Sequence, residues 1–288
     1  MKQAILISTG LLLTTPFIHA EKNKDKKPNV VFILADDLGY GDLSCYGQEK
    51  FETPNIDKLA QSGMRFTQCY SGTTVSAPSR SCLLTGTHSG HTPVRGNLEL
   101  DPEGQFPLPD DARTIFEVMK DAGYKTSAFG KWGLGYIGST GDPKNQGCDT
   151  FYGYNCQLLA HSYYPDHLWD NDKRVELEDN NLNVQYGKGT YSQDLIHGKA
   201  LKYLDNMNPD EPFFMWYPTI IPHAELIVPE DSIIQKFRGM YPEKPYKGTE
   251  PGSPAFRKGG YCSQFHPHAT FAAMVYRLDV YVGQIIQK

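Results

Sequence analysis

The stretch NVVFILADD, residues Asn29–Asp37, is an apolar, β-branched run that ends in two acidic residues. Such a continuous apolar run is typical of a parallel strand that is buried on both faces of a sheet. Ligands of α/β proteins gather at the carboxyl ends of strands, and hard cations prefer several oxygen ligands. Asp36 and Asp37 therefore indicate a calcium or magnesium site. A turn or capping role for the same two residues is the alternative.

Helices and strands alternate along the chain after this first strand. The segment TPNIDKLAQSG is predicted to be a helix with Thr53 at its cap, Pro54 in its first turn and Gly63 at its end. The pattern predicts further elements at residues 64–71 (strand), 111–124 (helix), 125–132 (strand), 194–207 (helix), 212–219 (strand) and 269–287 (helix). This alternation predicts an α/β fold with a mostly parallel central sheet flanked by helices.

Residues 228–267 interrupt the alternation with a stretch rich in proline, glycine and tyrosine. We predict a long loop here, either close to a substrate or plainly on the surface. The tyrosines of this loop and of the segment AHSYYPDHLW offer aromatic faces for a sugar ring, and a place in the core is the alternative for them.

The composition and the N-terminus indicate which partners and which cellular location to expect. The formal net charge of the 288 residues is −5, and no lysine- or arginine-rich stretch dominates, which argues against a nucleic acid partner. Residues 1–20 combine Lys2, an apolar run and a terminal small residue, Ala20, which is typical of a secretory signal peptide. The run is too short for a membrane span. We therefore predict a signal peptide at 1–20, a charged linker at 21–28, a folded domain at 29–288 and export to the bacterial periplasm or the extracellular space.

Cysteine spacing excludes the usual zinc sites. The chain has six cysteines, and none forms a C-x-x-C pair. Export permits disulfides, and Cys148 with Cys156 is a candidate local pair, whereas buried free thiols are the alternative.

The segment SAPSRSCLLTG, Ser76–Gly86, follows a predicted strand and opens a helix. The N-terminus of a helix favours an anion, so Ser76 is a candidate nucleophile and Arg80 a candidate group for holding a negative oxygen. A serine hydroxyl is a weak nucleophile without a base or a metal, and a cation at Asp36 and Asp37 would activate it. The structural alternative is that serine and proline simply start a helix in which arginine is a good helix former.

Four segments, LADDLGYGDLSCYG, TPNIDKLAQSGMRFTQCY, SAPSRSCLLTG and FGKWGLG, together resemble the type I sulfatase (arylsulfatase) family, whose fold is similar to that of alkaline phosphatase. The resemblance extends from Asn29 to the last predicted helix. The family signature, a serine or cysteine followed by x-P-x-R-x-x-x-x-T-G, matches residues 76–86.

The resemblance implies that a sulfatase-maturing enzyme converts Ser76 to formylglycine (3-oxoalanine). The hydrated aldehyde would attack sulfur, and its second hydroxyl would expel sulfate, whereas an unmodified serine would be trapped as a sulfate ester. Asp36, Asp37 and the oxygen at position 76 would be calcium ligands, with magnesium as the other candidate, and Arg80 would steady the hydrate. The substrate would be a sulfated small molecule or glycan, such as a sulfated sugar or an aryl sulfate.

Two further residues take roles from the resemblance. Lys131, in FGKW, would hold a sulfate oxygen, although a surface lysine at a strand end is the alternative. His223, in YPTIIPHAEL, would protonate the leaving oxygen, a role that suits a histidine near neutral pH. A loop histidine that is solvated or bonded to backbone is the alternative for His223.

The sequence departs from the family pattern in two places. The family usually reads GKWH, whereas this chain has Gly133, so His161 is a candidate replacement for the missing histidine or else a structural histidine. The family also has an Asp-Asn pair and a lysine on a later strand, which we do not find, so the sequence resembles an N-terminal sulfatase fragment. The rival functions are phosphoryl transfer by unmodified Ser76 and non-catalytic binding of a sulfated glycan.

Overall fold

A six-stranded mixed sheet lies at the centre of the computed structural model, which describes residues 26–180, 189–250, 253–255 and 260–288. The sheet contains β1 (Val30–Asp36), β4 (Lys125–Lys131), β5 (Thr150–Tyr154), β6 (His167–Asp170), β7 (Lys173–Glu176) and β8 (Phe213–Pro222), while β2 (Glu99–Leu100) and β3 (Gly104–Gln105) form a separate hairpin. The spatial order is β1-β8-β4-β5-β6-β7, with parallel pairing from β1 to β5 and antiparallel pairing beyond β5. The predicted α/β class with a mostly parallel sheet is confirmed.

Helices cover both faces of this sheet. They are α1 (Pro54–Ser62), α2 (Ser76–Thr85), α3 (Ile115–Asp121), α4 (Ser192–Asp205), α5 (Ser232–Phe237) and α6 (Pro267–Ile286). Along β8, Met215 packs into one apolar cluster with α4, α5 and α6, whereas the adjacent Trp216 packs into a second cluster with α2 and α3. Since successive side chains of a strand point to opposite faces, the two clusters are the two layers of core that enclose the sheet. Every residue of β8 is buried, which explains its unbroken apolar run.

Three predictions about local structure are wrong. Residues 64–71 do not form a strand, and the side chains of Met64 and Phe66 are largely exposed, because no described strand lies beside them to bury an apolar face. The helix predicted at residues 111–124 starts instead after Thr114, whose hydroxyl accepts from the backbone N–H of Glu117 in a capping box. The loop predicted at 228–267 contains the helix α5.

The cap of α1 also differs from the prediction. Thr53 precedes the helix but makes no cap hydrogen bond, since its hydroxyl accepts instead from the backbone N–H of Ser44 at 3.0 Å. The carboxylate of Asp279, which is fully buried on α6, accepts from the backbone N–H groups of Asn55 at 2.9 Å and Ile56 at 2.8 Å. A long-range carboxylate thus caps this helix.

The six cysteines are all free, and Cys148 and Cys156 are buried as thiols rather than joined. This agrees with the free-thiol alternative, and burial raises the pKa of the Cys148 thiol. The predicted signal peptide and residues 21–25 of the linker lie outside the described residues. None of the described helices combines the length and the apolar character that crossing a bilayer requires.

Candidate active site

The ends of three neighbouring parallel strands bring the predicted site residues together. Asp36 is the last residue of β1, Lys131 is the last of β4, and His223 directly follows β8, which lies between them. Ser76 is the first residue of α2, and its hydroxyl lies 3.4 Å from Asp36 Oδ1. The site thus lies at the carboxyl edge of the sheet, where ligand sites of α/β folds are found.

The hydroxyl of Ser76 lies between two cations. Lys131 Nζ donates to Ser76 Oγ at 2.9 Å and to Asp36 Oδ2 at 2.7 Å. Arg80 donates from Nε to Ser76 Oγ at 3.4 Å and from Nη2 to Asp36 Oδ2 at 3.2 Å. Its Nη1 donates to the carbonyl oxygen of Lys131 at 2.6 Å, which fixes the guanidinium plane. An oxygen at position 76 that becomes negative would be stabilised by both cations.

Burial and charge oppose each other in this cluster. Burial alone would raise the pKa of Asp36, but the charges of Lys131 and Arg80 hold that pKa well below its usual range. Burial lowers the pKa of Lys131 to about 8, despite the opposing attraction of Asp36. Burial also lowers the pKa of Arg80. Two buried cations therefore face a single buried carboxylate, an excess of positive charge that suits an anionic ligand.

His223 is oriented by backbone groups and faces the second aspartate. Its Nδ1 contacts the carbonyl oxygen of Ala224, which can only accept, so Nδ1 carries the proton. Its Nε2 lies 3.3 Å from Asp37 Oδ2. The hydroxyl of Tyr163 donates to the carbonyl oxygen of His223 at 2.9 Å and thereby holds the turn after β8. The basic nitrogen of His223 is thus the one directed toward the carboxylates.

His161 also lies at this site. Its ring stacks on the ring of His223, with centroids 5.3 Å apart and an interplanar angle of 15°. The half-buried Tyr261, on the loop before α6, lies 5.8 Å from the His161 ring. His161 therefore lies beside His223, and its role in the site stays a prediction.

The supporting roles of two residues, Asn97 and Tyr163, were not predicted from the sequence. Asn97 Oδ1 accepts from the backbone N–H of Ala77 at 2.9 Å and so occupies a donor at the N-terminus of α2. Tyr163, which we considered as a platform for sugars, is fully buried, and Tyr164 is nearly so. Neither aromatic face is available to a ligand, so the core alternative holds for both. No local signal marked either role, because both depend on distant partners.

The donors at the end of β1 have the chemistry that a hard cation requires. Asp36, Asp37 and the Ser76 hydroxyl supply oxygens, and the Asp37 side chain is 72% exposed. Within the described ranges, no group of three or more histidine, cysteine, aspartate or glutamate side chains is arranged to hold a metal. Since calcium takes about six to eight oxygens, these residues fit part of such a site.

Comparisons with known proteins show which proteins this chain is similar to. A family model described as Sulfatase matches residues 28–288. The chain is 31% identical over 219 residues to an N-acetylglucosamine-6-O-sulfatase of Bacteroides thetaiotaomicron, covering 76% of this chain and 35% of that protein. It is 32% identical over 260 residues to an arylsulfatase of Klebsiella aerogenes, covering 83% of this chain and 52% of that protein. The chain thus spans between 35% and 52% of the length of these relatives.

Solved structures show the same relationship. The crystal structure of Ps i-CgsB in complex with k-i-k-neocarrahexaose is similar with a TM-score of 0.70 and 27% identity, over 91% of this chain and 55% of that chain. A protein solved in complex with its substrate D-glucosamine-2-N,6-O-disulfate is similar with a TM-score of 0.60 and 29% identity, over 76% of this chain and 39% of that chain. Both likenesses extend over most of the fold described above.

Proposed function

The chain belongs to the sulfatase family, and from that premise we propose that the protein hydrolyses organic sulfate monoesters. The observation that carries the proposal is the placement of Ser76 Oγ within hydrogen-bond reach of both Lys131 and Arg80 at the start of a helix. In the overall reaction, water cleaves the ester so that the alcohol regains its proton and sulfate is released.

We propose that Ser76 acts as formylglycine, formed by a maturing enzyme. The motif S-x-P-x-R around Ser76 supports this step. The modified group, when present, supplies a geminal diol in place of a single hydroxyl. The surrounding residues fit such a group, because Lys131, Arg80 and Asp36 all converge on the oxygen at position 76.

Lys131 and Arg80 stabilise negative oxygens of the sulfate group. Both side chains are almost completely buried, so their charges act where water screens them little. Asp36 keeps both cations in place, because its carboxylate is bonded to Lys131 and to Arg80. Rigid placement of these charges before the substrate arrives is the main source of rate enhancement that the site offers.

His223 donates a proton to the leaving oxygen. Because Nδ1 donates to a backbone carbonyl, the proton that the imidazolium gives up is the one on Nε2. The Asp37 carboxylate near Nε2 stabilises the protonated ring, and the ring of His161 limits its movement.

Asp36, Asp37 and the oxygen at position 76 would hold a calcium ion, which supplies positive charge to the substrate oxygens when bound. Magnesium is the alternative cation. The hard oxygen donors at the end of β1 support this assignment.

A sulfated sugar is the substrate class that we propose. The relatives include an N-acetylglucosamine-6-O-sulfatase, and one structural neighbour was solved with a sulfated glucosamine as its substrate. Export through the N-terminal signal would bring the enzyme to such glycans outside the cytoplasm.

Mass spectrometry and a chromogenic assay test the proposal together. The peptide containing Ser76 should lose two hydrogens on maturation, and the matured protein should release nitrophenol from nitrophenyl sulfate but not from nitrophenyl phosphate. Ser76→Ala should abolish turnover, whereas Ser62→Ala, an exposed serine at the end of α1, should not. Turnover of the phosphate by an unmodified serine would instead establish the phosphoryl-transfer alternative.

A further inference from the structure

Gln157 fills the space into which a side chain at position 133 would project. A Cβ atom on Gly133 would lie 2.1 Å from Gln157 Nε2 and 3.7 Å from Arg80 Cδ. The first distance is far below van der Waals contact, so any larger residue at position 133 must displace the glutamine amide. Gly133 also has a φ of +73°, a conformation that favours glycine. Gln157 therefore lies where a histidine was expected from the family pattern.

Hydrogen bonds of both the side chain and the backbone hold Gln157 in this place. Its Nε2 donates to the carbonyl oxygen of Gly133 at 3.2 Å, and its backbone N–H donates to Gln105 Oε1 at 3.1 Å. Gln105 is fully buried in the β2–β3 hairpin, and Gln157 is 1% exposed. The Gly133 N–H donates in turn to the carbonyl oxygen of Asn155 at 3.1 Å. The loop after β5 is thus bonded to the segment that follows Lys131.

The side-chain carbonyl oxygen of Gln157, Oε1, accepts no hydrogen bond within the described part of the chain. A buried acceptor without a donor is costly, and natural proteins keep few of them. The amide that carries this acceptor occupies the space where a Cβ atom of residue 133 would lie, and Arg80 Cδ borders the same space. The same Arg80 side chain donates to Ser76 Oγ at 3.4 Å and to Asp36 Oδ2 at 3.2 Å.

We propose that Gln157 is a positioning residue for Arg80 in the sulfatase reaction. Its amide packs into the space that Gly133 leaves and keeps the guanidinium directed at Ser76 and Asp36. Shortening the side chain opens this space beside Arg80 Cδ, and the contact from Nε to Ser76 Oγ, the longest of the three at 3.4 Å, lengthens while Nη1 and Nη2 stay bonded. The inference rests on the proposed function, since it assigns a purpose to the geometry of that same site.

A thermal-stability cycle tests the packing without any assay of turnover. Gly133→Ala, Gln157→Ala and the double variant are compared by Tm in the full chain. The clash at 2.1 Å predicts that Gly133→Ala lowers Tm less in the Gln157→Ala background, by at least about 2 °C. Part of the loss remains in both backgrounds, because the positive φ of residue 133 is unchanged. Strictly additive losses would show that the two positions do not meet and would overturn the proposal.

Kinetics then distinguish positioning from simple packing. Gln157→Ala empties the space beside Arg80 Cδ, and we expect kcat to fall about 10- to 100-fold with KM changed less than threefold. Gln146→Ala is the matched control, because Gln146 is also 1% exposed, donates from Nε2 to backbone carbonyls and has an unpaired Oε1 among the described residues, yet belongs to a different segment.

The outcomes separate this inference from the proposed function. Gln157→Met, which fills the space again without an amide, should recover part of kcat. If Gln157→Ala is no slower than Gln146→Ala, Gln157 does not position Arg80 and the inference is wrong. If the matured wild type releases no sulfate from any ester, the proposed function fails and the positioning role fails with it, while the Tm cycle still reports whether the amide fills position 133.

Discussion

Lys131 Nζ lies 2.7 Å from Asp36 Oδ2, and the two side chains are only 1% and 8% exposed. The lysine comes from the end of β4 and the aspartate from the end of β1, so β8 must lie between their strands before they can meet. Removing one partner of a buried ion pair leaves an uncompensated charge, which costs more than the pair itself contributes. The contact therefore links the stability of the sheet edge to the chemistry of the site.

Replacing Lys131 tests this link. We expect Lys131→Met to lower the free energy of unfolding by up to about 3 kcal/mol, because Asp36 then keeps only Arg80 as a buried cation. Asp36→Leu should cost more, about 3–5 kcal/mol, since Lys131 and Arg80 are then both left without the buried carboxylate that compensates them. Urea unfolding measures both effects. Lys125→Met, at the exposed start of β4, is the control and should leave stability within about 0.5 kcal/mol. A single variant as stable as the control would contradict the buried-pair interpretation.

Replacing His223 tests its role as the general acid. His223→Ala should slow an alkyl sulfate by about 10²–10⁴-fold, because the alkoxide leaving group needs a proton. A nitrophenyl sulfate should be slowed much less, since nitrophenolate leaves without one. Lys131→Met should slow both substrates alike, because it acts on the sulfate group they share. Equal losses for the two substrates in His223→Ala would show that His223 is not the acid.

Replacing Asp279 tests the long-range cap of α1. Asp279→Ala leaves the N–H groups of Asn55 and Ile56 without their acceptor, and we expect the free energy of unfolding to fall by about 1–3 kcal/mol. Asp279→Asn keeps one acceptor oxygen and should lose less. Asp210→Ala, at a site 89% exposed, is the control for removing a negative charge. Equal stability of the Ala variant and this control would mean that water replaces the carboxylate.

The contribution of His167 to the free energy of unfolding should depend on pH. Its Nε2 lies 2.8 Å from Glu103 Oε2 and its Nδ1 lies 2.7 Å from Asp166 Oδ1, while Arg174 Nη1 lies 3.2 Å from Nε2. Burial lowers the pKa of His167, but the two carboxylates outweigh burial and raise it above its ordinary value of 6.5. A folded pKa above the unfolded pKa stabilises the fold fully below the unfolded pKa, and that stability is lost as the pH rises through the folded pKa.

The measurement is the difference in Tm between the wild type and His167→Gln at several pH values. The advantage of the wild type should be largest below pH 6.5 and should shrink at alkaline pH. His91→Gln, at an exposed histidine, corrects for the general effect of losing an imidazole. An advantage that grows with pH would mean that His167 is buried in its neutral form.

The three strands that carry the site were all predicted from the sequence. β8 is buried throughout and appears as an apolar run, and β4 is buried except at its first residue. The expectation that β1 is buried on both faces is wrong, because Val31 and Phe32 are 39% and 38% exposed and β8 is its one neighbour among the described strands. The start of α2 was predictable from its local serine and proline. The strands β5, β6 and β7 were missed, since they are short, and β6 and β7 mix charged and aromatic residues at the edge of the sheet. Residues 64–71 show the opposite error, since a strand was predicted there and none is formed.

Partners that are distant in the sequence could not be predicted. Asp279 lies 224 residues from the Asn55 backbone that it caps, and no pattern within either helix marks the contact. The absence of a side chain at Gly133 was visible in the sequence, but its replacement by Gln157 depends on how β5 lies beside β4. Local sequence patterns thus identified the candidate reactive residues. The residues that hold them in place could be identified only from the three-dimensional structure.

The position of β8 has a consequence for the order of events during synthesis. Among the described residues, β8 is the last strand in the chain, yet it inserts between β1 and β4. At about 5–20 residues per second, roughly 10–40 s pass between the emergence of β1 and that of β8 from the ribosome. During this interval β1 has an unpaired apolar edge, a template for wrong pairing between chains. A nascent chain of this protein should therefore need a holding chaperone until its eighth strand arrives.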